Sequence, residues 1–346
     1  MRLIVIFLWD NAKYMNSSPS ISFVCCVESG VLEGLTVRMI ESLRRWGGAF
    51  ADAPVFAVTP RLGPGLSGAT LQGFKRLGVR YLNQPFKTPY SWFSFYNKPL
   101  SLVAAEAVAD TETIAWLDSD VLIVGEPEAL RLEKGVDFAA CASEKEMGTS
   151  GDGDAFEPLW RANCDALGID IESLPWVVSE PDGLRIRLYW NGGIFVYRRS
   201  TDFGRAYLNT CTELMEARNR LSAPDYSIGI NEMSAIGLSM HRMGLKWRTL
   251  PYSHNHSVNW RSHSRLYRED EFRAARVIHH HDSMLPGFWN VFLECMQSTQ
   301  PQVAAWLSGL GPLRNEASYG DRLWGRALRT FRSRKKRFYI ESCRTV

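Results

Sequence analysis

The N-terminal apolar run Leu3 to Trp9 lacks length: it holds seven residues, far short of the roughly twenty that a helix needs to cross a bilayer. It is therefore no membrane anchor. Asp10-Asn11-Ala12-Lys13 behind it offers no good small-residue cleavage site, which argues against a secretory signal. The first fourteen residues read as an appended arm or as a consequence of start-site choice, and an arm is expected over residues 1–20. Net charge is also scarce, since 40 Lys and Arg against 37 Asp and Glu leave +3, which disfavours nucleic acid as a partner. The seven cysteines are odd in number and lack metal-ligand spacing, and Cys25-Cys26 are adjacent inside an apolar stretch. They read as reduced core residues of a cytoplasmic protein. No internal repeat of fixed period is present. A glycine-rich loop bearing Lys or Arg is missing after the first expected strand, where Glu28-Ser29-Gly30-Val31-Leu32-Glu33 is acidic. That weighs against a metal-dependent nucleotidyltransferase.

What is present is enough apolar material for a large α/β core: 346 residues, 45% apolar and 12% aromatic. Ile21 to Val27 predicts a first buried strand and Leu35 to Trp46 an amphipathic helix, with ligand contacts expected at the carboxyl edge of the sheet, Ser29 among them. Pro54 to Thr59 and Gly78 to Leu82 predict further strands, and Arg61 to Thr70, rich in Gly, Pro and Ser, a loop. Asn97-Lys98-Pro99 opens a helix over Leu100 to Ala109. Lys98 is either placed to reach a phosphate or carboxylate, or is a surface lysine before a helix-starting proline. Residues 144–184 read as loop-rich, an insertion on the acceptor side of a site.

The most informative feature is Asp118-Ser119-Asp120, between the apolar runs Thr113 to Leu117 and Val121 to Val124. Two carboxylates one residue apart project to the same side of an extended segment, where they repel unless a cation, an arginine or a proton compensates. A hard divalent metal carrying phosphate oxygens meets that need, whereas a solvated turn after a strand is the plainer reading. Further on, Asn191-Gly192-Gly193 predicts a polar turn before the apolar strand Ile194 to Tyr197, its glycines allowing close approach to a ligand or positive φ. Asn231-Glu232 sits at the mouth of an apolar helix-like stretch, and Val277-Ile278 leads into His279-His280-His281. On an extended strand His279 and His281 face one side and His280 the other.

In order and spacing these motifs resemble glycosyltransferases of the GT-A fold, most closely the family 8 type and its relatives. The resemblance covers roughly residues 20 to 290. It implies a Rossmann-like, mostly parallel mixed sheet flanked by helices, and transfer of a sugar from a nucleotide sugar, a UDP sugar in the first instance. It implies that Asp118 and Asp120 hold Mn²⁺ or Mg²⁺ against the donor's diphosphate, with His279 completing the metal site; His281, on the same strand face, is its substitute. Ser29, Lys98, Ser119, Gly192 and Gly193 are then candidate donor contacts. Asn191, Glu232 and Asp118 are candidate catalytic residues, Asn191 and Glu232 standing on the sugar and acceptor side. Asn231-Glu232 falls where the family carries Asp-Gln, and residues 280–287 lack the family's Gly-Xaa-Xaa-Lys-Pro-Trp. The acceptor is a glycan, a lipid-linked molecule or a protein. A nucleotidyltransferase, or a non-catalytic binding protein on a degenerate scaffold, are the alternatives.

A catalytic domain is expected over 21–295 and a helical extension over 296–346. Arg326, Arg329, Arg332, Arg334, Lys335, Lys336 and Arg337 form a run of seven basic residues free of acids; without them the net charge is −4. Trp324, Leu328, Phe331 and Phe338 recur at helical spacing, so residues 323–340 predict a basic amphipathic helix, either packed on the domain or seated on an anionic membrane surface at the inner face.

Overall fold

Strands form where short apolar runs can be buried on both faces, and the chain alternates them with amphipathic helices. In the computed structural model, which describes residues 20–258, 268–315 and 317–346, the elements follow in this order. Strand β1 (Ile21–Cys26), helix α1 (Val31–Trp46), β2 (Val55–Thr59), α2 (Gly68–Arg76), β3 (Val79–Asn83), α3 (Asn97–Glu106), β4 (Thr113–Leu117), β5 (Val121–Ile123) and β6 (Phe138–Ala142) make the first half. Helix α4 (Glu157–Ala166), β7 (Trp176–Ser179), β8 (Leu184–Arg187), β9 (Trp190–Arg198), α5 (Phe203–Ala217), β10 (Asn219–Arg220), α6 (Pro224–Arg242), β11 (Trp247–Thr249) and β12 (His256–Ser257) follow. Helix α7 (Glu269–Ala274), β13 (Val277–His279), α8 (Trp289–Thr299), α9 (Pro301–Leu310), α10 (Tyr319–Ser342) and β14 (Arg344–Thr345) complete the chain. Residues 1–19, which hold all but the last position of the expected arm, lie outside the described residues.

The main sheet has seven strands in the order β11-β6-β9-β4-β1-β2-β3. Its pairs are parallel except where β9 runs antiparallel to β4 and β6. This is the mostly parallel mixed sheet that the motifs imply. Side chains alternate across it. Phe23, Cys25, Val55, Ala57, Ala115 and Leu117 pack with Met39, Ile40 and Leu43 of α1 on one face. Val24, Phe56, Val58, Ile114 and Trp116 pack on the other with the α3, α5 and α6 side. A second sheet, β12-β13-β5, is small but decisive for the site, because β5 pairs antiparallel with β13 and sets His279 opposite Val121.

Several expectations are corrected. Helix α1 begins at Val31, four residues before Leu35, because Gly30 adopts φ 109° and the Glu33 carboxylate accepts a hydrogen bond from the Gly30 N–H at 2.9 Å, closing the first turn. Within the loop-rich segment 144–184 stand α4, β7 and the first residue of β8, which pairs with β7. Asn191-Gly192-Gly193 lies within β9 rather than in a turn before it. Asn231 and Glu232 sit in the middle of α6, which starts at Pro224, so they do not cap its mouth. The expected division at 295/296 falls inside α8, and the C-terminal β14 pairs with β10, stitching the tail back to the domain.

Candidate active site

The turn between β4 and β5 sorts its three polar residues by direction. Ser119 points inward, where its hydroxyl donates to the Cys26 carbonyl at 2.7 Å and accepts from Thr36 at 3.1 Å. Asp118 and Asp120 therefore face the other way. The Asp118 N–H donates to the Gly193 carbonyl at 2.9 Å, which locks the turn to β9, and its Oδ1 accepts from the Trp116 indole at 2.7 Å. The Asp120 carbonyl accepts from the His280 N–H at 3.0 Å, which brings the histidine run against the turn.

Asp120, His279 and His281 each offer one ligand atom, and those atoms lie within 4.8 Å of one another. His279 Nε2 is 3.4 Å from Asp120 Oδ1 and His281 Nδ1 is 4.0 Å from Oδ2, and the two rings stack with centroids 4.0 Å apart. His281 reaches this position through a left-handed residue, φ 49°, and its Nε2 shares a hydrogen bond with the Ser257 hydroxyl at 2.9 Å. His280 turns away against Phe292, and burial lowers its imidazole to about 4. Burial opposes ionisation of Asp120, but the neighbouring His279 and His281 hold its carboxyl well below the usual range. Burial likewise opposes charge on His279, which the Asp120 carboxylate overcomes, raising it. His279 Nδ1 is buried and has no hydrogen-bond partner. One carboxylate with two imidazoles is a donor set suited to Mn²⁺, and an oxygen-seeking ion such as Mg²⁺ fits it less well.

Asp118 stands apart from this trio because Lys98 claims it. Lys98 is 6% exposed, so it is no surface lysine. Its ammonium donates to the Gly192 carbonyl at 2.9 Å and lies 3.3 Å from Glu232 Oε1 and 3.6 Å from Asp118 Oδ1. Glu232, 1% exposed, also accepts from the Tyr207 hydroxyl, and its Oε2 is buried without a partner. Burial raises the Asp118 carboxyl to about 6, Lys98 offsetting only part of that effect. Burial disfavours the Lys98 cation, yet Asp118 and Glu232 more than compensate and raise it.

Asn191 accepts from the Gly193 N–H at 2.9 Å and directs its amide nitrogen to Glu144 at 3.4 Å, so part of its capacity serves local backbone. The two glycines permit close approach, but to the protein's own side chains. A Cβ on Gly192 would lie 2.4 Å from Lys98 Nζ, and one on Gly193 2.6 Å from His279 Nδ1. Lys98, Asp118, Asp120, Asn191, Glu232 and His279 line one cavity of about 350 Å³. Unpartnered buried oxygens of Glu144 and Glu232 mark the same region. Ser29 lies in a separate cavity at the β1 and β2 ends, beside Glu28 and Arg61, which form an ion pair. Glu144, Tyr207 and Asn255 were not singled out by sequence. Asn255 is fully buried beside Gly193 with both side-chain amide atoms unpartnered.

A mostly parallel sheet with one reversed strand thus carries carboxylates and imidazoles beside a buried lysine. The family model described as the Rhodobacterales glycosyltransferase domain matches residues 23–228, more than half of the chain, and the chain belongs to that family. It is thus an enzyme of the glycosyltransferase class. The matched region contains Lys98, Asp118, Asp120 and Asn191, while Glu232, His279 and His281 lie beyond it. No curated protein matches the sequence. Among solved structures, the bifunctional glycosyltransferase WbbM aligns at 10% identity and TM-score 0.44, over 84% of this chain and 52% of that one, so the chain spans about half of its length. The apo-form glycosyltransferase GlyE of Streptococcus pneumoniae TIGR4 aligns at 11% identity and TM-score 0.45, over 86% and 65% of the two chains. The galactosyltransferase LgtC, solved with donor and acceptor sugar analogues, aligns at 12% identity and TM-score 0.43, over 83% and 96%.

Proposed function

We propose that this enzyme moves a sugar from a nucleoside-diphosphate sugar, a UDP sugar in the first instance, to a glycan, lipid-linked or protein acceptor, with a divalent cation held by Asp120, His279 and His281. The observation that carries the reading is the meeting of this donor trio and the buried Lys98–Asp118–Glu232 network on one cavity. When bound, the cation supplies neutralisation of charge on the departing diphosphate. The chain's residues do the rest. Asp120 stays ionised between two imidazoles. Lys98 fixes Asp118 and Glu232 in one orientation, which leaves the open Oε2 of Glu232 and the open Oε1 of Glu144 to accept sugar hydroxyls. Asn191 holds Gly193 in register while its amide faces Glu144. Ser29 belongs to the nucleoside side, where α/β sheets take ligands outside the ends of their parallel strands.

Release of nucleoside diphosphate from a panel of UDP, GDP and ADP sugars, with Mn²⁺, with Mg²⁺ and with EDTA, tests this. One donor should turn over with metal and stop with chelator. A folded protein that releases no nucleoside diphosphate from any donor refutes the proposed transfer from a nucleotide sugar.

The C-terminal helix supports a peripheral membrane partner. No helix among the described residues is long and apolar enough to cross a bilayer, but Trp324, Phe331 and Phe338 recur every seventh position of α10 and are 46%, 54% and 72% exposed. Leu328 and Tyr339 occupy its buried side. An exposed aromatic line flanked by arginines suits the interface of an anionic membrane, each basic residue near it contributing roughly 1 kcal/mol.

A further inference from the structure

Helix α10 does more than present an aromatic line. It borders the carboxyl ends of β1 and β2, where a cavity of about 300 Å³ is lined, among the described residues, by five arginines and two carboxylates. Both carboxylates are engaged: Glu28 is gripped on both oxygens by Arg61, and Asp321 accepts from the Ser318 hydroxyl at 2.6 Å. Arg332 donates to the Leu62 carbonyl at 2.5 Å. Arg322, Arg326 and Arg329, spaced by four and three residues, share another line of the helix, and no carboxylate pairs with them among the described residues. Arg329 is drawn over Gly325 toward Pro64, the guanidinium standing 3.4 Å from where a Cβ on Gly325 would be. Arg61 is buried and Arg332 half-buried while Arg322, Arg326 and Arg329 are exposed at the rim; guanidiniums gathered round one concave site repel one another in the absence of an anion, and their planar forks match phosphate oxygens.

We infer that this cavity is a phosphate-binding site in which Arg326, Arg329 and Arg332 of α10, with Arg61 at the sheet edge, hold the oxygens of a phosphate or diphosphate group. Burial and the nearby Arg61 both lower Arg332, which agrees with a surplus of positive charge there. The site does not depend on the transferase reading, since its chemistry is that of the anion alone. Within that reading the donor's diphosphate is assigned to the cation site in the other cavity, so the phosphate held here is that of a phosphorylated acceptor, and competition by UDP would instead bring the donor's diphosphate to this cavity.

Titration calorimetry of the full chain with sodium pyrophosphate, at low ionic strength and with EDTA present, tests the inference. Saturable binding is expected, weakening with salt, and at least tenfold weaker in R326Q/R329Q, whose unfolding midpoint without ligand stays unchanged. R326K/R329K, which keeps charge without the fork, should lose less. UDP that displaces pyrophosphate assigns the site to the donor, and UDP that binds alongside it assigns the site to the acceptor's phosphate. Absence of saturable binding by the parent protein, an unchanged affinity in R326Q/R329Q, or an equal loss in R334Q/R337Q, exposed arginines outside the cavity on the same helix, overturns the site. Because no metal or sugar donor is needed, its failure is separable from failure of the transferase reading.

Discussion

Replacing Lys98 by Met removes one cation from between the buried Glu232 and the partly exposed Asp118 while keeping the volume of the stem. The ammonium now satisfies the Gly192 carbonyl and faces Glu232 and Asp118 at 3.3 and 3.6 Å. Removing one partner from a buried ion pair leaves the other charge uncompensated, at a cost of about 3–5 kcal/mol. Against a total stability of roughly 5–15 kcal/mol for a typical protein, that loss is large but survivable. The sign of its pH dependence follows from Asp118, whose carboxyl is raised to about 6 by burial even with Lys98 present. Without Lys98 it rises further. An acid whose folded pKa exceeds its unfolded value, near 3.9, lowers stability as pH climbs from the unfolded value through the folded one. The deficit of K98M should therefore be small near about pH 4 and full near about pH 8. K98M/E232Q, which removes one of the two stranded charges, should recover on the order of 1–3 kcal/mol, as expected for coupled neighbours. Urea unfolding followed by circular dichroism at both pH values measures each quantity. A K98M protein within about 1 kcal/mol of the parent at neutral pH, equally stable at both pH values and unaffected by E232Q, refutes the account of a buried charge network.

Asp120→Asn should preserve the fold and abolish calorimetric Mn²⁺ binding, with turnover falling at least about a hundredfold, as loss of charge stabilisation in the transition state requires; near-full metal-dependent transfer would count decisively against the ligand role. Gly193→Ala places a methyl group 2.6 Å from His279 Nδ1, so it should cost roughly 1–3 kcal/mol in urea unfolding and weaken metal binding; an unchanged protein would show that the ring moves freely. Glu232→Gln and Asn191→Ala should reduce transfer more than they weaken nucleoside diphosphate binding, and the reverse pattern, read from kinetics beside calorimetry, would move both residues to the nucleotide side. W324S/F331S/F338S should lose sedimentation with phosphatidylglycerol vesicles while sparing turnover of a soluble acceptor, and if the parent protein ignores such vesicles at low salt, the membrane partner is excluded.

The chain's local pattern carried much of the architecture. Short, nearly continuous apolar runs in Ile21 to Cys26 and Thr113 to Leu117, buried on both faces, mark interior strands whatever they pair with, and an Asp-Xaa-Asp at a strand end announces expensive charge at a sheet edge. The amphipathic tail was legible from helical spacing alone. Element boundaries were less so, because the start of α1 depends on a left-handed glycine and a side chain returning to it.

Which charges share a site was decided only in three dimensions. Lys98 and Glu232 are 134 positions apart, and nothing in either segment says that α3 and α6 deliver them to one cavity. His281 joins Asp120 because β13 pairs with β5 and a left-handed residue swings the ring back, whereas strand periodicity alone treats His279 and His281 alike. Asp118 is drawn to Lys98, a competition between partners that the triplet cannot express. The glycines after Asn191 read as room for a ligand, yet the room is taken by Lys98 and His279. Likewise the basic run fixes a charge, and only the placement of α10 beside the β1 and β2 ends turns part of that charge into a cavity wall. Periodicity reports the face on which a side chain stands, since that depends on backbone geometry within one element. The partner it meets depends on non-local pairing and on burial, where low dielectric makes the choice of counter-charge a property of the assembled fold.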